Sequence, residues 1–99
     1  LNCFAMEADV VDRAVEEYNR FRSPEAFARI IERRGDGFVV EFSGSFCATC
    51  GVYDWLEDLR YEIRRLDLEL DAVIEDWKQI SDDTIIVEFK LIRRRRDGP

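Results

Sequence analysis

The sequence predicts a two-layer α+β sandwich with its elements in the order α-α-β-α-β-β. Three observations lead there. Apolar residues recur at helical spacing over residues 6–22 and again over 52–66, and they alternate with polar ones over 38–43, 68–77 and 84–92. A chain of 99 residues, 46% of them hydrophobic, is enough for one core and too short for two. The expectation is a single domain over residues 1–99, with an N-terminal helical hairpin packed on a three-stranded mixed sheet.

In the first helix Val11, Ala14, Val15, Tyr18 and Phe21 share a face, and Glu7, Asp9, Asp12, Glu16 and Glu17 fill the opposite one. Acidic residues crowd its first half and Arg20 and Arg22 its last turn, the arrangement the helix dipole favours. Residues 1–5 read as an extension ahead of Met6, either a vector remnant or an alternative start, which sets Cys3 aside from the candidate site. Ser23-Pro24-Glu25 reads as a fresh helix start, with Ser23 as N-cap and Pro24 at the first helical position. The expected second helix carries Phe27, Ile30 and Ile31 on one side and stops at Gly35, with Arg33 and Arg34 at its carbonyl end.

The first strand is expected where Phe38, Val40 and Phe42 alternate with Val39, Glu41 and Ser43. Ser43-Gly44-Ser45 breaks the alternation and opens the turn containing Cys47 and Cys50. Val52, Leu56, Leu59, Ile63 and Leu66 then mark the third helix, which starts either at Asp54, where Asp54 and Glu57 resemble a capping box, or earlier, at the cysteines. Leu68, Leu70, Ala72 and Ile74 alternate into the second strand. Ser81-Asp82-Asp83 turns the chain into the third, where Ile85, Val87, Phe89 and Leu91 share a face. Strands two and three form a hairpin, while strand one reaches strand two through a helix, so that pair is expected to be parallel with a right-handed crossover. No internal repeat, low-complexity segment or linker is read. The sheet face away from the helices is expected to carry Val39, Val73, Trp77, Ile86 and Ile92 among charges, an apolar content that suggests a homodimer or a protein partner.

Composition narrows the function classes. Net charge is −7, with Arg93, Arg94, Arg95 and Arg96 gathered in a basic tail over residues 93–99, so the body repels nucleic acid and only the tail offers a weak RNA or anion site. Arg far outnumbers Lys and His is absent, a bias that suits the charge networks of a thermophile. No apolar run approaches the ~20 residues needed to cross a bilayer, so neither an anchor nor a signal peptide is expected and the protein is read as cytoplasmic. With no His, a general base would have to be a carboxylate or an amine, and no Gly-rich phosphate loop is present. Glu57-Asp58 and Asp82-Asp83 sit where a solvated helix face and a turn explain them, and Tyr53 and Trp55 where core aromatics are expected.

Cys47 and Cys50 are the candidate chemistry. A helix N-terminus just after a strand stabilises a thiolate on the first cysteine of a CxxC pair. Phe46-Cys47-Ala48-Thr49-Cys50-Gly51, following an alternating strand, resembles the thioredoxin family over Gly37–Gly51. That resemblance implies Cys47 as the attacking thiol and Cys50 as the resolving one. Pro24 and Pro99 are the only prolines, so the cis-proline loop of that family has no counterpart after the motif. CxxC is equally half of a tetrahedral zinc site; with no His, one chain offers only Cys3 and a carboxylate for the other half, whereas a second copy would give four sulfurs across a dimer. In the plain alternative the thiols fill space beside Phe46 or form a local disulfide worth about 2 kcal/mol. The sequence therefore points to a small non-enzymatic binding or interaction module. The competing readings are a thiol-disulfide protein using Cys47 and Cys50, an intersubunit zinc site on the same residues, and weak anion binding through the tail.

Overall fold

A computed structural model describes residues 3–48 and 51–93, with side chains included except at 3–7 and 48. Helix α1 (Cys3–Arg22) is followed by strands β1 (Phe27–Arg34) and β2 (Gly37–Ser43), a 3-10 turn (Ser45–Ala48), helix α2 (Val52–Leu66), and strands β3 (Leu70–Ser81) and β4 (Thr84–Arg93). The strands form one antiparallel sheet in the order β1-β2-β4-β3. The α+β class stands, while the element order is α-β-β-α-β-β and the sheet is four-stranded and antiparallel, not three-stranded and mixed. No helix among the described residues is long and apolar enough to cross a membrane.

The expected second helix is strand β1, and a β-bulge is the reason for the misreading. Ile30 pairs with Val40 and Glu32 with Val39, leaving Ile31 without a partner. Phe27 lies on the outer face and Ile30 on the core face, and the bulged Ile31 breaks the alternation after them, so the three fall at a spacing that imitates a helix face. Gly35 and Asp36 form a two-residue hairpin turn between Arg34 and Gly37, and the Leu91 N–H donates to the Asp36 carbonyl at 2.7 Å, tying that turn to β4.

Strands β2 and β3 are connected through α2 as expected, yet they do not touch, because β4 inserts between them. The chain is thus two consecutive αββ units joined where β2 pairs with β4. Within that pair Val40 lies opposite Val87, Phe38 opposite Phe89 and Phe42 opposite Ile85, a register with local two-fold symmetry about Val40 and Val87. The symmetry is also present in the residues: Phe38-Val39-Val40-Glu41-Phe42 corresponds to Ile85-Ile86-Val87-Glu88-Phe89. The reading that the chain lacks an internal repeat is corrected accordingly. Five matched residues among β-branched and aromatic strand formers look like ordinary strand composition until their pairing is known.

The core lies between this sheet and both helices. Val11, Ala14 and Tyr18 from α1 and Leu56, Leu59 and Ile63 from α2 are buried against Phe38, Val40, Phe42, Ile85, Val87 and Phe89. Each buried aliphatic side chain of α2 contributes roughly 2 kcal/mol by removal from water. Phe38 stacks on Phe89 at 5.1 Å, and Phe42 meets Tyr18 edge-on at 5.5 Å.

Polar groups fix the layers in place. The Tyr18 hydroxyl donates to the Trp55 carbonyl at 2.8 Å. Arg22, its guanidinium 4.7 Å from the centre of the Tyr18 ring, donates to Glu62 at 2.9 Å and Asp58 at 3.2 Å, and Arg65 donates to the other Glu62 oxygen at 3.0 Å. Asn19 holds α1 to the edge of β1, its amide donating to the Ala28 carbonyl and its oxygen accepting from the Ala28 N–H. At the other edge Asp71 accepts from Arg60 of α2 at 3.0 and 3.2 Å and from the Ala72 N–H at 2.7 Å. Burial raises the Asp71 pKa, but these hydrogen bonds with the charges of Arg60 and Arg64 outweigh it and hold the carboxyl below the usual aspartate range.

Two predictions follow from this packing. A Cβ on Gly37 would lie 2.1 Å from the Phe89 carbonyl oxygen, whereas one on Gly35 meets nothing within 4 Å. Gly37→Ala is expected to cost about 2 kcal/mol or more in urea unfolding and Gly35→Ala about 0.5 kcal/mol or less; equal losses would contradict the close approach of β2 to β4. Because the folded pKa of Asp71 is depressed, its stabilisation is present above the unfolded aspartate pKa of about 4 and is lost as pH falls through the lower folded value. The stability gap between the wild type and Asp71→Asn should therefore close between about pH 5 and pH 2, which urea midpoints across that range will measure.

Candidate functional site

The Cys47 turn is built at one end of the sheet, between the α1–β1 loop and the β3–β4 turn. Gly44 leaves β2 with φ at +136°, a conformation open to glycine, and a Cβ there would lie 2.2 Å from the Glu25 carbonyl oxygen. The Gly44 N–H donates to the Asp83 carbonyl at 2.9 Å and the Phe46 N–H to the Glu25 carbonyl at 3.0 Å. The Phe46 ring is fully buried, 6.4 Å from Phe42 and 5.8 Å from Trp55 between ring centres. The segment is a clamped plug in the end of the core.

Cys47 is a free thiol in that plug, half-buried against the core. Burial, then the nearby Asp83 charge, push its pKa above the usual thiol value, the opposite direction from a helix-activated nucleophile. Its place in the chain explains this. Helix α2 begins at Val52 with Gly51 as N-cap, and the Asp54 and Trp55 N–H groups turn back to the Gly51 carbonyl, so Cys47 belongs to the preceding 3-10 turn and not to the first turn of α2. Asp54 lies inside that first turn, which corrects the expected capping box. Cys50 lies outside the described residues, as does the side chain of Cys3. Among the described residues no three His, Cys, Asp or Glu side chains gather as metal ligands.

The other predicted residues have structural employment. Glu57 pairs with Arg60 and Asp58 with Arg22, while the Asp83 carboxylate accepts from the hydroxyls of Ser81 and Thr84. Arg93 lies 3.7 Å from Glu69, and Arg94, Arg95 and Arg96 fall outside the described residues.

The second candidate surface is the sheet face away from the helices. In register across β1, β2, β4 and β3, one row reads Arg29, Glu41, Ile86, Lys78 and the next Glu32, Val39, Glu88, Asp76. A third row reads Arg34, Gly37, Lys90, Val73. Arg29 pairs with Glu41 at 3.0 Å, and Arg34 bridges Glu32 at 2.8 Å and Glu88 at 3.0 Å. Val39 is only 4% exposed among these chains, while Phe27, Ile80 and Ile92 are exposed. Trp77 is not on this face: Glu75 is bulged out of register, which turns Trp77 toward the helix layer, 6.4 Å from Tyr53. It still walls a hollow of about 220 Å³ lined by Asp76, Trp77, Lys78, Ile80, Ile86 and Glu88. Alternation alone located most of this face; the charge banding across it needs the pairing register, which no single strand reveals.

In a background of Cys3→Ser and Cys50→Ser, Cys47 should alkylate with an apparent pKa above that of a free thiol, and Asp83→Asn should lower it. A pH series of alkylation rates measures both, and an apparent pKa below the free-thiol value would contradict the described environment. No protein-family model, curated protein or solved structure matches this chain.

Proposed function

We propose that the protein is a non-enzymatic interaction module that works through the uncovered face of its sheet. The observation that supports this reading is the face itself: Phe27, Ile80, Ile86 and Ile92 stand among ordered ion pairs, with no described element packed over them. Mixed apolar and charged surfaces of this kind are what protein partners bury. The clamped Cys47 turn serves as a structural plug, its thiol disfavoured as a thiolate by burial and by Asp83.

The competing thiol-disulfide reading makes a contrary demand, because it requires Cys47 to ionise readily and to exchange with a partner. The test is a disulfide-reduction assay on the full chain, run beside thermal melts of Cys47→Ser and Cys50→Ser. The module reading expects no catalysed reduction and serine variants that remain folded. Catalysis that disappears with Cys47→Ser would overturn it.

A further inference from the structure

Resting on that reading, we infer that the partner is a second copy of this chain, packed sheet against sheet about a two-fold axis running across the strands. On the outer strands, Arg29 and Lys78 end one row with positive charge, and Glu32 and Asp76 end the adjacent row, on the same two strands, with negative charge. An axis lying between these rows keeps every residue over its own strand and exchanges the rows. Arg29 then lies over Glu32 of the second copy and Lys78 over its Asp76, each contact occurring twice because the interface is isologous.

The centre of the face agrees with its edges. The same operation sets Val39 over Glu41 of the second copy and Ile86 over its Glu88, so the Val39 and Ile86 side chains of the two copies meet diagonally across the axis. Glu41 and Glu88 enter already paired with Arg29 and Arg34 and bring no uncompensated carboxylate to the centre. The hollow beside Ile86, walled by Trp77 and Ile80, gives the interface relief near its β3 edge. Charge also selects against the obvious alternative. A chain of net charge −7 repels nucleic acid and, over most of its surface, a second copy of itself, so a face that carries both signs in register is where two copies can meet.

A second exposed aromatic surface, the shallow groove beside Phe21 and Tyr61 on the helix layer, lacks this banding and serves as the control. Asp76 and Lys78 are exposed, so reversing their charges should leave the monomer folded, and circular dichroism melts will verify that for these variants and for Ile86→Arg, whose site is half-buried.

Sedimentation equilibrium of the full chain at micromolar concentration decides the matter. The expected result is a dimer of 11.7 kDa chains that becomes monomeric with Ile86→Arg. Lys78→Glu should weaken it at least about tenfold, and adding Asp76→Lys to Lys78→Glu should restore it, since the swap rebuilds the same pairs with reversed sign. A monomeric wild type, or a dimer indifferent to Ile86→Arg and to the charge swap, overturns the inference. A dimer broken by Phe21→Asp alone overturns it too, while leaving the interaction-module reading in place. That reading falls separately, through thiol catalysis dependent on Cys47.

Discussion

Everything in this fold depends on the pairing of β2 with β4. Each of these strands already belongs to a hairpin, so this single ladder merges two αββ units into one sheet and brings Phe38, Val40 and Phe42 alongside Ile85, Val87 and Phe89. Without it, each unit would hold a helix over a two-stranded ribbon, an arrangement with too little buried surface to persist in water. The approach is close enough that Gly37 has no room for a side chain, and it lets the Phe38 and Phe89 rings stack.

The helix layer is positioned by chemistry more selective than apolar packing. Tyr18 and Arg22 reach across to α2, one through a hydroxyl to a backbone carbonyl and the other through a guanidinium shared between two carboxylates. The Glu62 side chain is 4% exposed and uses both oxygens, each with a different arginine. Such a group is costly to bury unless its partners are in place, so the network disfavours any arrangement in which the two helices slide past one another. Among the described residues no buried side-chain nitrogen or oxygen lacks a hydrogen-bond partner.

How much of this was legible in the sequence depends on how regular each element is. Helix α2, with Leu56, Leu59 and Ile63 at unbroken helical spacing, and β4, with Ile85, Val87 and Phe89 in strict alternation, announce themselves. Strand β1 was hidden because the bulge at Ile31 replaces alternation by a helix-like spacing, and Ser23-Pro24-Glu25 supplied a false helix start. Trp77 was assigned to the wrong face for the same physical reason, a bulge at Glu75. The break after Ser43 was legible from the lost alternation, and Cys47 falls in the 3-10 turn that follows it, yet the character of Cys47 was not legible there. It depends on Asp83, brought beside it by the β3–β4 hairpin, and on the five residues by which α2 starts after it.

The two outer strands end the sheet deliberately. On β1 the Asn19 amide occupies both backbone groups of Ala28, and on β3 the carboxylates of Asp71 and Asp76 take up the outward N–H groups of Ala72 and Trp77. A strand arriving from another molecule finds those donors occupied and bulges at Ile31, Glu75 and Ile80 out of step with any straight ladder. Ladder extension is therefore disfavoured at those positions on both margins. The open face has no such free ladder, so contact made there stacks layers and does not extend the sheet.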